Sequence, residues 1–189
     1  SVIEDNNLIL TKKITENIDQ KLSDKIIYVY QSIEKHLNLS KKLDKIGITI
    51  GPGSYTSLRV GSAFASGLCI SKNIPCCSFS VADIINFNSK NYKNKNLVVF
   101  IYSANNQKFI CKYNNKNIQY TKIEDNKNLI LKDSEIIFYN YKKLVSEFNS
   151  NKQIKFSFKT EFLNNLNNLN FEKNLKINPK YISNNKILN

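Results

Sequence analysis

The sequence predicts an α/β fold in two lobes, because strand-like and helix-like apolar patterns alternate in its first half and further strands follow. With 189 residues and 41% hydrophobic content, the chain is long and apolar enough to bury a core. Residues 86–96 are rich in Asn and Lys, and they predict the boundary between the lobes. We place the first lobe at residues 1–88 and a smaller second lobe at residues 89–189.

The chain opens with a predicted β-hairpin over residues 1–14, in which Asp5-Asn6-Asn7 supplies the turn. From Asn17 onward, apolar residues recur every three or four positions, a spacing that predicts one buried stripe along a helix of about five turns. The stripe consists of Ile18, Leu22, Ile26, Val29, Ile33 and Leu37.

A glycine loop, Gly51-Pro52-Gly53, ends the short strand predicted over residues 46–50. A second helix is predicted from about Ser54 to Lys72, with Ser54 or Thr56 as its N-cap. A strand at residues 76–79 and a brief helix starting at residues 80–83 should complete the first lobe.

The second lobe is predicted to contain a β-meander with Asn-rich turns, further strands and one short helix. The strands are expected at residues 97–103, 108–113, 118–123, 136–139 and 154–158, the helix at 142–148, and an extended tail around 178–182. The tail is extended because Pro179 disfavours helix at the residue before it.

The net charge of +13 admits a nucleic-acid partner, but it also fits A/T-rich coding, which favours Lys, Asn and Ile. The lysines are scattered rather than clustered, and Arg59 is the only arginine. Charge alone does not decide between these two interpretations.

The four cysteines lack metal-binding spacing and are predicted to be reduced thiols of a cytoplasmic protein. His36 is the only histidine, so the chain offers few nitrogen ligands for a metal site. No apolar run approaches the roughly 20 residues that span a bilayer, so no membrane partner is expected.

The glycine loop has three possible uses. It could bind phosphate, but it lacks the Lys-Ser/Thr of a Walker A loop and does not match GxGxxG. It could present Ser54, Tyr55 or Thr56 as a nucleophile, but GxSxG is absent and His36, the only histidine, is remote in sequence. It could instead permit close packing of the helix that follows.

That helix carries small residues on two faces. Gly61, Ala65 and Cys69 share one face, while Ala63 and Gly67 lie near another, together with Ile70. A helix that is apolar nearly all round must be buried on more than one side, so either this helix is internal or a partner covers it.

The segment GPGSYTSLRVGSAFASGL, followed by Ile74-Pro75, resembles the motif of the bacterial TsaB family, also called YeaZ, close to GPGSFTGLRxGxxxAxGLA. Tyr55 stands for the family's Phe and Ser57 for its Gly. The specific resemblance covers about residues 45–83. A terminal Pro-x-Tyr-Ile is similar to the family's Pro-x-Tyr-Leu.

The resemblance implies an actin-like ATPase (RNase H-like) two-lobe fold, with mixed sheets and flanking helices. It also implies a non-catalytic, cytoplasmic subunit that binds and activates a TsaD-type catalytic subunit for N6-threonylcarbamoylation of adenosine 37 in tRNA. A TsaE-type ATPase would complete the complex, with ATP/ADP and metal on the partners and no cofactor on this chain. Without its partner the chain could form a homodimer, and tRNA would be reached through the complex.

Two sets of site residues follow from this resemblance. The expected partner-binding residues are Leu22, Ile26, Ile33, Leu58, Arg59, Ser62, Ala65, Ser66 and Cys69. The expected structural residues of the loop and its helix are Gly51, Pro52, Gly53, Ser54, Thr56, Gly61 and Gly67. Arg59 is expected to pair with a carboxylate or a carbonyl near the loop.

The sequence also departs from the family. The opening strand with its Ile-Asp-Thr-Ser sequence is expected to be missing, and Ser103-Ala104-Asn105 replaces an Asp-Ala-Arg stretch. A single histidine cannot supply the His-x-x-x-His metal pair of the catalytic TsaD sister. Two alternatives stay open: a stand-alone nucleotide-binding enzyme of the same fold, such as a small-molecule kinase, and a basic RNA-binding protein.

Overall fold

The computed structural model describes residues 1–14, 22–92, 96–102, 108–114, 117–123, 135–140, 152–183 and 186–188. The strands are β1 (Val2–Glu4), β2 (Asn7–Leu10), β3 (Ile46–Thr49), β4 (Cys76–Phe79), β5 (Leu97–Tyr102), β6 (Lys108–Asn114), β7 (Asn117–Ile123), β8 (Ile136–Tyr139), β9 (Gln153–Lys155), β10 (Tyr181–Ser183) and β11 (Lys186–Leu188). The helices are α1 (Leu22–Leu37), α2 (Leu39–Lys42), α3 (Tyr55–Lys72), α4 (Val81–Ser89) and α5 (Phe158–Asn164).

The largest sheet has five strands in the order β7-β6-β5-β8-β9. Strands β5, β6 and β7 form an antiparallel meander, while β8 lies parallel to β5 and β9 parallel to β8. A meander continued by two parallel strands on its other side is the strand order of an RNase H-like sheet. The predicted α/β class, with a mixed sheet and flanking helices, is confirmed.

The first half of the chain forms an antiparallel hairpin, β1–β2, and a parallel pair, β3–β4. The hairpin turns at Asp5 and Asn6, both of which have positive φ, a conformation that Asp and Asn tolerate better than most residues. Helix α3 crosses from β3 to β4, as a parallel pair requires. The hairpin, both strands and α3 agree with the sequence-based predictions.

The main core lies between the five-stranded sheet and α4 and α5. It is built from fully buried residues of several elements, among them Phe79 of β4, Ile84 of α4, Val99 of β5 and Phe138 of β8. Phe79 packs edge-on against Phe158 and Phe162, with ring centroids 6.1 and 5.9 Å apart. The last strand of the first half is therefore continuous with the core of the second. The division at residue 88 stays a prediction.

One predicted strand needs correction, and two predicted helical segments lie outside the described residues. The polar segment at residues 86–96 is helical up to Ser89, where α4 ends, and the lobe boundary expected in this segment stays a prediction. The strand expected at 154–158 ends at Lys155, and α5 begins at Phe158, since the Ser157 side chain accepts a hydrogen bond from the Thr160 backbone N–H at 3.0 Å. The helix expected at 142–148 and the start of the first helix at residues 17–21 lie outside the described residues.

Gly47 is the position at which another element approaches a glycine most closely. A Cβ placed there would lie 2.1 Å from Cζ of the Phe162 ring. Helix α5 therefore seats a ring directly on β3, and a side chain at residue 47 would displace it. No local pattern in the sequence predicts this role for Gly47.

None of the described helices is long and apolar enough to cross a membrane.

Candidate functional site

The glycine loop joins β3 to α3 and is held from two sides. The backbone N–H of Ile50 donates to Phe79 O at 2.9 Å, and the N–H of Val81 donates to Gly51 O at 3.2 Å. The Gly51–Pro52 peptide bond is cis. These bonds tie the loop to the end of β4 and to the beginning of α4.

Gly51 is required by both conformation and space. Its φ of +100° lies in a region that residues with a side chain rarely adopt, and a Cβ would lie 2.9 Å from Leu58 Cδ1 and 3.0 Å from Lys180 O. Gly53 differs, because its nearest neighbour would be 3.9 Å from an added Cβ and its φ is not positive. Of the two glycines, only Gly51 has a geometric reason to be glycine.

A C-terminal segment, which the sequence predicts only as an extended tail, packs over the loop. The Lys180 backbone N–H donates to Ile50 O at 2.8 Å, and the Tyr181 ring packs on the Tyr55 ring with centroids 4.7 Å apart. Ile177 joins Ile50, together with residues of α3 and β4, in a small buried cluster. Residues far apart in the sequence thus hold the loop and the first turn of α3.

Helix α3 buries one face against its own sheet. Leu58, Ser62, Ala65 and Cys69 are 4–9% exposed, and their spacing places them on one side of the helix. Ile33 of α1 is buried as well. These five residues belong to the expected partner-binding set, and their side chains are buried inside the chain.

The remaining expected partner-binding residues are more accessible. Leu22, Ile26 and Ser66 are half-buried, and Arg59 is exposed. Small and apolar residues occupy both sides of α3, and periodicity alone does not indicate which side meets the sheet.

The opposite face of α3 is exposed and carries little charge beyond Arg59. Ala63 and Gly67 are exposed, Ile70 is 72% exposed, and a Cβ added at Gly67 would meet nothing within 4 Å. We call Ala63, Gly67 and Ile70 the outer stripe of α3. Gly61, expected to permit close approach, is half-buried and would place a Cβ at an ordinary 3.6 Å from Ile48.

Helix α1 packs beside α3 and extends the exposed surface. The rings of Tyr30 and Phe64 meet edge-on with centroids 5.5 Å apart. Ile27 lies one helical turn before Tyr30, so it is on the same side of α1, the side that faces α3. Its side chain is 47% exposed. The only sequence signal for Ile27 is that it is an apolar residue outside the predicted buried stripe, and it is not among the predicted site residues.

The first turn of α3 carries an aromatic and cationic cluster. Arg59 Nη1 donates to the Tyr55 hydroxyl at 2.9 Å, and the guanidinium carbon lies 5.2 Å from the centre of that ring. Arg59 therefore pairs with a tyrosine, not with the carboxylate or carbonyl expected from the sequence. Ser54 occupies the N-cap position, but its side chain makes no capping hydrogen bond, and no acidic residue lies in the first turn.

A buried polar group lies beneath the loop, at the start of α4. Ser80 and Asp83 form a capping box, and Lys180 Nζ donates to Ser80 Oγ at 3.5 Å. The Tyr120 hydroxyl is buried close to them, and burial raises the pKa of Tyr120. These contacts tie the C-terminal segment to α4 and keep Asp83 occupied.

In the described part of the chain, the side chains that could bind a metal are buried thiols or lie apart from one another. The four cysteines are free and buried, and desolvation raises the pKa of Cys69 and of Cys77 to about 11, which disfavours the thiolate form that binds metals. No cluster of three His, Cys, Asp or Glu side chains occurs among the described residues. His36, the only histidine, is exposed near the end of α1.

Comparisons with known proteins agree with the resemblance seen in the motif. A family model described as TsaD, tRNA N6-adenosine threonylcarbamoyltransferase, matches residues 11–182. The chain is 35% identical over 79 residues to a tRNA threonylcarbamoyladenosine biosynthesis protein TsaB of Buchnera aphidicola subsp. Acyrthosiphon pisum. It is 42% identical over 62 residues to a tRNA N6-adenosine threonylcarbamoyltransferase of Buchnera aphidicola subsp. Schizaphis graminum.

These matches are partial. They cover 41% and 33% of this chain, and 36% and 18% of the respective relatives. Among solved structures, YeaZ from Pseudomonas aeruginosa is similar with a TM-score of 0.42 and 15% identity, over 66% of this chain and 62% of that one. The predicted resemblance to TsaB (YeaZ) proteins is confirmed.

Proposed function

We propose, from the premise that this chain belongs to the tRNA N6-adenosine threonylcarbamoyltransferase (TsaD) family and resembles its TsaB (YeaZ) relatives, that it is a non-catalytic scaffold subunit. In this role it binds a TsaD-type catalytic subunit in the cytoplasm and supports N6-threonylcarbamoylation of adenosine 37 in tRNA. A TsaE-type ATPase is the third partner, and nucleotide and metal belong to the partner subunits.

The observation that carries the proposal is the outer stripe of α3. A surface of Ala63, Gly67 and Ile70 presents small and apolar groups where a surface helix normally presents charged ones. Small side chains allow the backbone of a partner helix to approach closely, and Ile70 supplies apolar area that binding would bury. Ile27 of α1 extends this surface.

The absence of a catalytic role is supported by the chemistry of the residues at the loop. Asp83 is engaged by Ser80, and Arg59 by Tyr55. The single histidine is on α1, remote in sequence from the loop. The described side chains around the loop act as packing and hydrogen-bonding groups, which fits a subunit that positions a partner.

A pair of substitutions at Gly67 tests the scaffold role. Gly67→Leu places a branched side chain on the outer stripe and should block close approach of a partner helix. Gly67→Ala is the matched control, because both changes improve helix propensity, by up to about 1 kcal/mol for Ala. Neither should disturb the fold, since the space around an added Cβ is open.

The assay is co-purification of the chain with the TsaD-type protein of the same genome. We expect wild type and Gly67→Ala to co-purify with it and Gly67→Leu to be lost, while all three give the same circular dichroism spectrum. Undiminished co-purification of Gly67→Leu would place the interface elsewhere. Self-association of wild type that Gly67→Leu abolishes, without any binding of the TsaD-type protein, would assign the same surface to a homodimer.

A further inference from the structure

Three side chains around the first turn of α3 form a stack that the scaffold role does not use. Tyr181, from the C-terminal segment, packs on Tyr55 with centroids 4.7 Å apart and the ring planes tilted by 49°. The guanidinium carbon of Arg59 also lies 5.2 Å from the centre of the Tyr55 ring. We call Tyr55, Arg59 and Tyr181 the loop stack.

The loop stack is open to solvent and retains unused donors. Tyr55 is 56% exposed, and Arg59 is exposed as well. A guanidinium has five N–H donors, and the described contacts of Arg59 use one of them, on the Tyr55 hydroxyl. No carboxylate in the described parts of the chain forms an ion pair with Arg59.

The first turn of α3 carries an arginine in a chain whose other basic residues are lysines. Arg59 is the single arginine among 28 basic residues, and it lies on an exposed tyrosine. Lysine would supply the same charge, but it lacks the flat guanidinium that stacks on rings and binds phosphate through two parallel hydrogen bonds. Arg59 therefore offers a ligand a planar group for stacking in addition to a positive charge.

We propose that the loop stack binds an unpaired nucleobase of RNA, with the base against the exposed part of the Tyr55 ring and Arg59 as the contact to the adjoining phosphate. Bases in single-stranded RNA stack on tyrosine rings and arginine planes, whereas bases inside a duplex are not available to them. The net charge of +13 complements a polyanion and disfavours a basic partner. RNA fits both features, while a protein partner of the stack would have to supply acidic groups.

This inference rests on the proposed function in one respect: within the modification complex, the RNA is the tRNA substrate. It adds a direct contact between this subunit and RNA, at the beginning of α3. The outer stripe lies further along the same helix, so the two sites can be altered separately.

The test is fluorescence anisotropy of the isolated chain with a labelled, unstructured 12-nucleotide RNA. We expect Tyr55→Ala to weaken binding roughly tenfold, since stacking on an aromatic side chain commonly contributes that much per base. Tyr55→Phe keeps the ring and should bind within about twofold of wild type. Tyr28→Ala removes a 67% exposed tyrosine from α1 and is the matched control, expected to have no effect.

Salt dependence separates the two roles within the stack. Arg59→Ala should lower the slope of log affinity against log salt by about 0.7, the loss of one phosphate contact to a single strand. Tyr55→Ala should leave that slope unchanged, because a ring releases no counterions. Arg59→Lys should keep the slope and still lose affinity, since it restores charge without a plane.

The proposal is overturned if Tyr55→Ala weakens binding no more than Tyr28→Ala does, in variants whose circular dichroism matches wild type. Equal affinity for a 12-base-pair duplex would also overturn it, because a duplex offers no free base. Binding of an acidic peptide in place of RNA would assign the stack to a protein. None of these results changes the expected co-purification with the TsaD-type protein. The RNA contact can therefore be refuted while the scaffold role stands, and the reverse also holds.

Discussion

Replacement of Gly51 by alanine should destabilise the chain strongly, whereas the same change two residues later should not. At Gly51, an added methyl would meet a φ of +100° and two atoms at 2.9 and 3.0 Å, one of them the backbone oxygen of Lys180. A left-handed conformation costs an L-residue about 1–2 kcal/mol, and overpacking adds about 1–3 kcal/mol. We therefore expect Gly51→Ala to lower the free energy of unfolding by roughly 2–5 kcal/mol.

Gly53→Ala is the matched control. Its nearest neighbour would be 3.9 Å from the new methyl and its backbone is compatible with a side chain, so the change should be neutral or stabilising by up to about 1 kcal/mol, through the unfolded chain. Urea unfolding followed by circular dichroism measures both variants. If Gly51→Ala is as stable as Gly53→Ala, the loop is not held by the C-terminal segment as the contacts indicate, and the explanation for Gly51 fails.

Three further predictions concern the core and the thiols. Gly47→Ala should cost about 1–3 kcal/mol of stability by displacing the Phe162 ring, and in a Phe162→Ala background it should cost nothing; equal losses in both backgrounds would contradict this packing. Phe79→Ala should lower the free energy of unfolding by about 3–5 kcal/mol, measured by urea unfolding, because the ring is fully buried between the two halves of the chain; a loss under 1 kcal/mol would contradict a continuous core. Cys69 and Cys77 should react slowly with a thiol reagent at pH 8, and rapid modification of the native protein at that pH would refute their burial. The free energy of unfolding should also fall as the pH rises from about 9 toward 11, because the thiols of the unfolded chain lose their protons at lower pH than those of the folded chain.

Local patterns were sufficient to predict most elements of the fold. The meander β5–β7 follows from apolar runs separated by Asn-rich turns, and β4 was predicted at the residues where it occurs, Cys76–Phe79. The helix after the glycine loop was predicted within one residue of its observed start at Tyr55. In each case the signal lies within a single stretch of sequence.

The errors arose where one short pattern fits two structures. Residues 154–158 alternate between apolar and polar side chains, which favours a strand, but Ser157 caps a helix and α5 begins at Phe158. Ser157, a residue type that is preferred at N-caps, was the available signal for the start of the helix.

Other features depend on residues too far apart for sequence patterns to reveal. Gly47 must be glycine because of Phe162, and Gly51 in part because of Lys180, and neither pair is connected by any local spacing. The orientation of α3 has the same origin. Ala65 and Gly67 are both small, and only the position of the sheet decides that Ala65 is buried and Gly67 exposed.

The central claim is that the outer stripe of α3 contacts the TsaD-type subunit, and site-specific photo-crosslinking tests it most directly. A photoreactive phenylalanine analogue at Ile70, which is 72% exposed, should crosslink to the TsaD-type protein. The same analogue at Gln119, exposed on β7, should not. A crosslink from position 119 with none from position 70 would contradict contact through the outer stripe and would place the interface on the five-stranded sheet.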